Sequence, residues 1–419
     1  MQVENIHIMK TMKKLALFVG VVALVCACSN KGEMDPMMPG DGGEGYTTDD
    51  VGGDEGIGEP SAPGEGGDEQ SHAGRVTAGE WRDLDNWLFW SNLMTNSQAD
   101  QSGSDYTTFS SYWGFYTNNR VAVRVKDNNG APQRDVAIQL VRNGSVVYEA
   151  RTNNKGETNL WVGLTQLDES VDAAGLSLTI NGTPVNATVS LTHWGEEPVW
   201  NECTASVSAN KNIDIAFIVD ATGSMSDEIN FLKADLTNII TTVGNKHSDA
   251  NIRTAALFYR DEGDDYLTRE SNFTTNLSTT TQFISKQSAD GGGDYPEAVH
   301  TALEKGLQKL SWREANCMRI AFLLLDAPPH YNEQVLSSLH QSVPKYAKQG
   351  IRIIPVAASG VDKHTEFFLR FTAIATDGTY VFLTNDSGIG GEHIAATVGD
   401  YEVELLNELI IRLIDEYLQ

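Results

Sequence analysis

Five oxygen-bearing side chains on three stretches have the types and spacing that chemistry needs. Asp220, Thr222 and Ser224 alternate in Val219-Asp220-Ala221-Thr222-Gly223-Ser224-Met225-Ser226. Asp326 directly follows the apolar run Arg319–Leu325. Asp294 lies between them in Gly291-Gly292-Gly293-Asp294-Tyr295-Pro296-Glu297. Two hydroxyls and three carboxylates form an oxygen-rich, nitrogen-free set, which hard divalent cations prefer. Magnesium is the first expectation, with manganese and calcium as alternatives. Bare carboxylates brought together would repel one another, and a cation removes that penalty. Taken alone, Asp-x-Thr-x-Ser could equally be a capping cluster at a helix start; Asp326 and the placement at strand ends turn the reading towards metal.

Catalytic arrangements find little support. The chain has nine His, with no His-x-x-x-His and no Gly-x-Ser-x-Gly. His330 in Asp326-Ala327-Pro328-Pro329-His330 stands near the metal edge and reads as a loop histidine bonded to backbone. A Ser224–His330 nucleophilic pair would need a serine that the metal already occupies. Gly291–Gly293 has no Lys-Ser/Thr after it, which excludes a phosphate-binding P-loop. Asp261–Asp265 reads as an exposed acidic turn. The expectation is a binding protein and not an enzyme; a metal-assisted hydrolase and a metal-stabilised envelope assembly factor are the alternatives.

The elements that must carry these residues are short apolar strands alternating with helices over 205–419. Strands are expected at Ile213–Val219, Ile252–Phe258, Arg319–Leu325, Ile351–Ala357 and Tyr380–Leu383. Helices are expected at Ser226–Val243, Pro296–Leu310, Val335–Gln349, Thr365–Ala375 and Tyr401–Leu418. Continuous apolar strands between helices indicate an α/β doubly wound, mostly parallel sheet covered on both faces. In such sheets the ligand sits at the carboxyl ends of the strands, where Asp220 and Asp326 both fall.

Asp220-x-Thr222-x-Ser224, the glycine-rich loop and Asp326 together resemble the von Willebrand factor type A domain over essentially all of 210–419. The resemblance implies a metal-ion-dependent adhesion site. Thr222 and Ser224 would bind the ion directly, Asp220 and Asp326 partly through water. One coordination position stays open for a protein partner, often through its own carboxylate. Where that family usually offers Thr in the third loop, this chain has Gly293-Asp294, so Asp294 is expected to reach the metal. A carboxylate there would weaken the pull on an acidic partner.

The first half has a different composition. Residues 1–28 read as a signal peptide: Lys10, Lys13 and Lys14 precede the apolar run Leu15–Val25, which is 11 residues long. A membrane span needs ~20. The run ends in Val25-Cys26-Ala27-Cys28, which resembles a bacterial lipobox and implies lipidation of Cys28, with the chain held at the cell envelope by its lipid. Residues 29–76 form a linker; within 32–72 there are 12 Gly, 12 Asp or Glu, 4 Pro and no Lys or Arg. Such a segment cannot bury enough apolar area to offset its ordering entropy, and a flexible chain of that length spans about 35 Å.

Residues 77–204 hold seven of the eight Trp. Thr77-Ala78-Gly79-Glu80 is expected to cap a helix that carries Trp81, Leu84, Trp87, Leu88, Trp90, Leu93 and Met94 on one stripe. From Asn119 the period becomes two. Val121–Val125, Val136–Leu140, Val146–Thr152, Thr158–Val162, Leu176–Ile180 and Ala187–Leu191 alternate around turns such as Asn143-Gly144 and Asn181-Gly182. That is a small all-β sandwich. Its Val125–Val162 portion resembles the carboxypeptidase-regulatory-like or Cna B-type module, which implies a spacer or contact domain.

Whole-chain composition sets the outer limits. Over 419 residues, 57 acidic and 30 basic side chains leave a net charge of −27. A surface that negative repels phosphate backbones, which excludes nucleic acid as a partner. Of four cysteines, Cys203 and Cys317 lie outside the N-terminal segment, with 113 residues between them. In an oxidising compartment they are expected to form a disulfide, a closure of ~4–5 kcal/mol by chain entropy. The alternative is a pair of buried thiols packing as small apolar groups.

Overall fold

The computed structural model describes residues 72–96, 105–208 and 210–419. The segment 1–28 with Cys28, and the linker as far as residue 71, lie outside the described residues. The described residues begin with β1 (Thr77–Trp81), α1 (Trp87–Thr95) and α2 (Tyr106–Trp113). Then come β2 (Arg120–Lys126), β3 (Ala137–Arg142), β4 (Ser145–Arg151), β5 (Glu157–Trp161), β6 (Leu176–Ile180), β7 (Thr183–Pro184) and β8 (Trp200–Thr204). The second half runs β9 (Asn212–Asp220), α3 (Ile229–Lys246), β10 (Asn251–Tyr259), β11 (Thr268–Thr274), α4 (Leu277–Ser285) and α5 (Val299–Gln308). It continues with β12 (Met318–Leu325), α6 (Glu333–Gln349), β13 (Ile351–Ala357), α7 (Lys363–Ala375), β14 (Tyr380–Leu383), β15 (Glu404–Leu405) and α8 (Leu406–Leu418).

The head is an eight-stranded sheet in the order β11-β10-β9-β12-β13-β14-β1-β15. The five strands from β10 to β14 pair in parallel, and β11 and β1 join antiparallel. β12 is buried along its full length, which is why its sequence shows no alternation. The helices cover both faces because each carries an apolar stripe at helical spacing. α3 buries Ile229, Leu232, Leu236, Ile239, Ile240 and Val243. α8 buries Leu406, Leu409, Ile410, Leu413 and Ile414 on the same face, against Phe217 and Phe322. On the other face α5, α6 and α7 pack on Ile218, Leu323 and Ile353. Each fully buried Leu, Ile or Phe contributes about 1.5–3 kcal/mol.

Thr77–Trp81 is a strand, which corrects the expected helix start. β1 inserts between β14 and β15, with Gly79 opposite Phe382. A Cβ at Gly79 would stand 2.7 Å from the rings of Phe382 and Tyr401, so only glycine fits there. The helical stripe is real but begins later, at Trp87. Sheet pairing and burial outweigh the weak local capping signal.

The expected sandwich is present as two sheets, β5-β2-β8 and β4-β3-β6-β7. Val121, Val123 and Val125 from one sheet and Ile138, Leu140 and Leu178 from the other share one core. Both residues of Asn143-Gly144 and of Asn181-Gly182 take positive φ, as a tight hairpin turn requires. Ala187–Leu191 is not a strand; the last strand is β8, parallel to β2.

Cys203 and Cys317 are free and buried, which overturns the expected disulfide. β8 carries Cys203 into the sandwich, opposite Val125. Cys317 precedes β12; its thiol donates to the Met318 carbonyl and its N–H to Asp135. Burial pushes both thiols up, Cys317 to about 12.

Candidate metal site

β9 and β12 are parallel neighbours, so they end at the same sheet edge. Asp220 is the last residue of β9, and Asp326 directly follows β12. The loop after β9 is folded around the Asp220 carboxylate: Oδ1 accepts from the Thr222 N–H at 2.9 Å and the Thr222 hydroxyl at 2.7 Å. The hydroxyls of Thr222 and Ser224 stand 3.2 Å apart. Asp220 and Thr222 are fully buried, Asp326 is nearly so, and Ser224 is exposed at the mouth. The structure therefore brings Asp220, Thr222, Ser224 and Asp326 together as expected.

The third loop differs from expectation. Asp294 is exposed at the rim, and the carboxylate turned inward is Glu297, 3% exposed. Gly292 takes φ +74, and a Cβ on it would meet Glu297 Oε1 at 3.0 Å and Thr222 Cβ at 3.4 Å. A side chain at Gly292 would crowd the Glu297 carboxylate and strain the positive φ. Glu297 is also stapled to the loop after β12. Its N–H donates to Pro328 O at 2.9 Å, and its carbonyl accepts from His330 N at 3.3 Å. Gly223 N donates to Gly291 O at 3.1 Å, tying the first loop to the third. Glu297 was visible in the sequence as the last residue of the glycine-rich stretch, but only the pairing with Pro328 and His330 shows that it points inward.

Asp220 Oδ2, Asp326 Oδ1 and Glu297 Oε2 are buried and have no hydrogen-bond partner. Burial, with Asp326 beside it, pushes the Asp220 carboxyl up to about 7. Burial and the Glu228 charge hold Asp326 at about 6, partly offset by the Ser224 hydroxyl. Burial and the charges of Asp220, Asp261 and Asp326 push Glu297 to about 9. Each wants a positive charge that the protein does not supply. Among the described residues no three His, Cys, Asp or Glu side chains converge closely enough to hold an ion by themselves. The two hydroxyls and the carboxylates beside them are all hard oxygen donors. These residues fit a hard divalent cation.

Two buried pairs brace the edge. Asp261 is 6% exposed and accepts from His330 Nε2 at 2.7 Å, which corrects the expected backbone-bonded histidine; the rest of the acidic turn is as expected, with Glu262 and Asp265 exposed. Asp264 accepts from Gly292 N at 2.9 Å and so holds the glycine loop. On the opposite side Glu228 Oε1 accepts from Ser359 N at 3.1 Å and lies 3.1 Å from His393 Nε2. The site opens into a cleft of about 690 Å³ lined by Ser224, Asp227, Asp294, Tyr295, Glu297, Asp326 and Glu392 among others.

A sheet of this order, with Asp-x-Thr-x-Ser at one strand end and a lone Asp at the next, agrees with what comparison finds: residues 214–365 match the model of the von Willebrand factor A domain. The head carries a von Willebrand factor A domain. The chain is 32% identical over 150 residues to the alpha-protein kinase vwkA of Dictyostelium discoideum, a match covering 35% of this chain and 23% of that protein. It is 30% identical over 131 residues to the putative ariadne-like RING finger protein R811 of Acanthamoeba polyphaga mimivirus, covering 31% of this chain and 12% of that protein. The chain thus matches less than a quarter of the length of these curated relatives. Among solved structures it is similar to the conserved hypothetical protein BatB of Bacteroides thetaiotaomicron, with 13% identity, 49% of this chain and 98% of that chain covered, and a TM-score of 0.35. Among the described residues no helix is long and apolar enough to cross a membrane.

Proposed function

We propose that the von Willebrand factor A domain of this protein binds a divalent cation at Asp220, Thr222, Ser224, Asp326 and Glu297 and uses it to engage a protein partner. The observation that carries this reading is a set of buried, unpaired carboxylate oxygens at one sheet edge: Asp220 Oδ2 at the strand end, and Asp326 Oδ1 and Glu297 Oε2 on side chains that line the cleft. When bound, magnesium, or manganese or calcium in its place, supplies positive charge and an open coordination position. The chain's own residues do the rest. Asp220 holds the Thr222 hydroxyl in place through two hydrogen bonds, the Gly291–Gly293 loop keeps its backbone close, and the Glu297–Pro328 pairing fixes the third carboxylate.

The protein acts as a binding module and not as an enzyme in this reading. His330 is engaged by Asp261, His393 by Glu228, and the Ser224 hydroxyl is shared with Thr222. The apolar run ending in Ala27-Cys28 supports attachment to the bacterial cell envelope through a lipid on Cys28, with the acidic segment as a tether. The sandwich serves as a brace of the Cna B-type kind. Calorimetric titration tests the cation site. Wild type takes up one magnesium, and Asp220→Ala takes up none while keeping its near-ultraviolet dichroism. Unchanged affinity in that variant would remove the site. Mass spectrometry of the mature amino terminus from a bacterial host tests the anchor: a diacylglyceryl group on Cys28 is expected, and an unmodified terminus overturns it.

A further inference from the structure

The charge around the cleft points to a partner that presents a cationic segment; we propose a lysine- or arginine-bearing stretch of protein and not an acidic side chain. The inference rests on the cation reading above and names its partner class. Two buried carboxylates, Asp326 and Glu297, line the cleft. A divalent ion there offsets those two charges and no more. The rim adds Asp227, Asp294 and Glu392, all exposed. Among the described residues, those lining the cleft include no Lys, Arg or His. Asp326 and Glu297, both more than nine-tenths buried, line the cleft with an unpartnered oxygen each, so the negative potential reaches into its floor.

An incoming carboxylate would have to pass the three rim acids and settle against a site that remains net negative, and clefts lined by one sign of charge reject that sign. A cation meets the reverse situation. Tyr295 adds a fixed aromatic wall: its side chain is 44% exposed, while its hydroxyl donates to Gly360 O and accepts from Asp362 N, both at 3.1 Å. A ring pinned at its far end and part-exposed on the cleft wall suits a guanidinium or ammonium group. Asp294 thereby finds a role at the rim, in selecting the partner.

The experiment uses the full chain with saturating magnesium and two labelled twelve-residue peptides of the same Gly/Ser frame, one carrying four Lys and one four Glu. Fluorescence anisotropy is read at physiological salt. Because the protein is strongly acidic overall, the deciding comparison is between two triple variants. Asp227→Asn/Asp294→Asn/Glu392→Gln removes the rim, and Glu169→Gln/Glu270→Gln/Glu314→Gln removes the same charge elsewhere on the exposed surface. The lysine peptide should lose at least tenfold in affinity for the rim variant and less than twofold for the control, with magnesium affinity of the rim variant within threefold of wild type. Equal losses in both variants, or tighter binding of the glutamate peptide, overturn the proposal. Spermine binding as tightly as the lysine peptide also overturns it, since a small polyamine would then suffice. A wild type that takes up no magnesium is seen in the calorimeter independently of either peptide and overturns the cation reading beneath.

Discussion

Glu297 and Asp294 stand three residues apart and have opposite surroundings. Glu297 is enclosed, held by backbone pairing to the loop after β12, and has an oxygen without a partner. Asp294 faces solvent. Glu297→Gln should therefore weaken magnesium binding at least tenfold by calorimetry, and Asp294→Asn less than threefold; the reverse ranking would restore Asp294 as the third-loop ligand. A second residue carries a pH signature of its own, on the far flank of α3. Asp235 is buried, accepts from Gly74 N at 2.6 Å through Oδ1, and leaves Oδ2 without a partner. Burial pushes its carboxyl up to about 7. A carboxyl raised on folding contributes stability that is fully present below its unfolded value and lost as pH rises through the folded one. Asp235→Asn should thus leave the melting temperature unchanged near pH 4 and raise it by several degrees at pH 8. A melting temperature raised equally at both pH values would contradict this.

At the scale of elements, the segment before the sandwich belongs to the head. β1 bridges β14 and β15, and the turn after it delivers Asp83 to Arg370, an arginine with no exposed side chain. Arg370 donates to both Asp83 oxygens, to the Tyr106 hydroxyl and to Thr397 O. Removing one partner of a buried pair leaves an uncompensated charge, so Asp83→Ala should cost about 3–5 kcal/mol in urea denaturation. Gly79→Val should cost about 1–3 kcal/mol by overpacking against Phe382 and Tyr401. A loss below 1 kcal/mol in the Asp83 variant would mean that Tyr106 and Thr397 suffice for Arg370. None of this could be read from Thr77-Ala78-Gly79-Glu80, whose local pattern suits a helix start. The strand exists because β14 and β15 present edges to it.

At the scale of the whole molecule, sandwich and head share one continuous apolar core, from Val121 and Ile138 through Phe115 and Phe371 to Leu323. Polar contacts close the seam. The Tyr148 hydroxyl donates to Ala375 O, and Asp135 pairs with Arg319 of β12 and with Arg151. Asp377 accepts from Arg82, Asn153 and Asn159. The sandwich is thus welded to the back of the domain that carries the site. A fragment of 205–419, the boundary that composition suggests, loses β1, the partner of Arg370 and the cover over α6 and α7. It should show no cooperative thermal transition, whereas a fragment of 72–419 should melt within a few degrees of the full chain. Cooperative unfolding of 205–419 with native magnesium affinity would show that the head stands alone.

The sequence by itself determined the five parallel strands, most of their helices, and the convergence of Asp220, Thr222, Ser224 and Asp326. Continuous apolar runs can be buried only in a sheet covered on both faces, and strands running parallel must end at one edge. It also determined most sandwich strands, through strict alternation and Asn-Gly turns. Tertiary structure alone decided the rest: β1, the inward turn of Glu297, the Asp261–His330 pair and the separation of Cys203 from Cys317. Each depends on a partner distant in sequence. Sheet edges, carboxylate orientations and thiol neighbours are set by what packs against them, and no local pattern of residues encodes that.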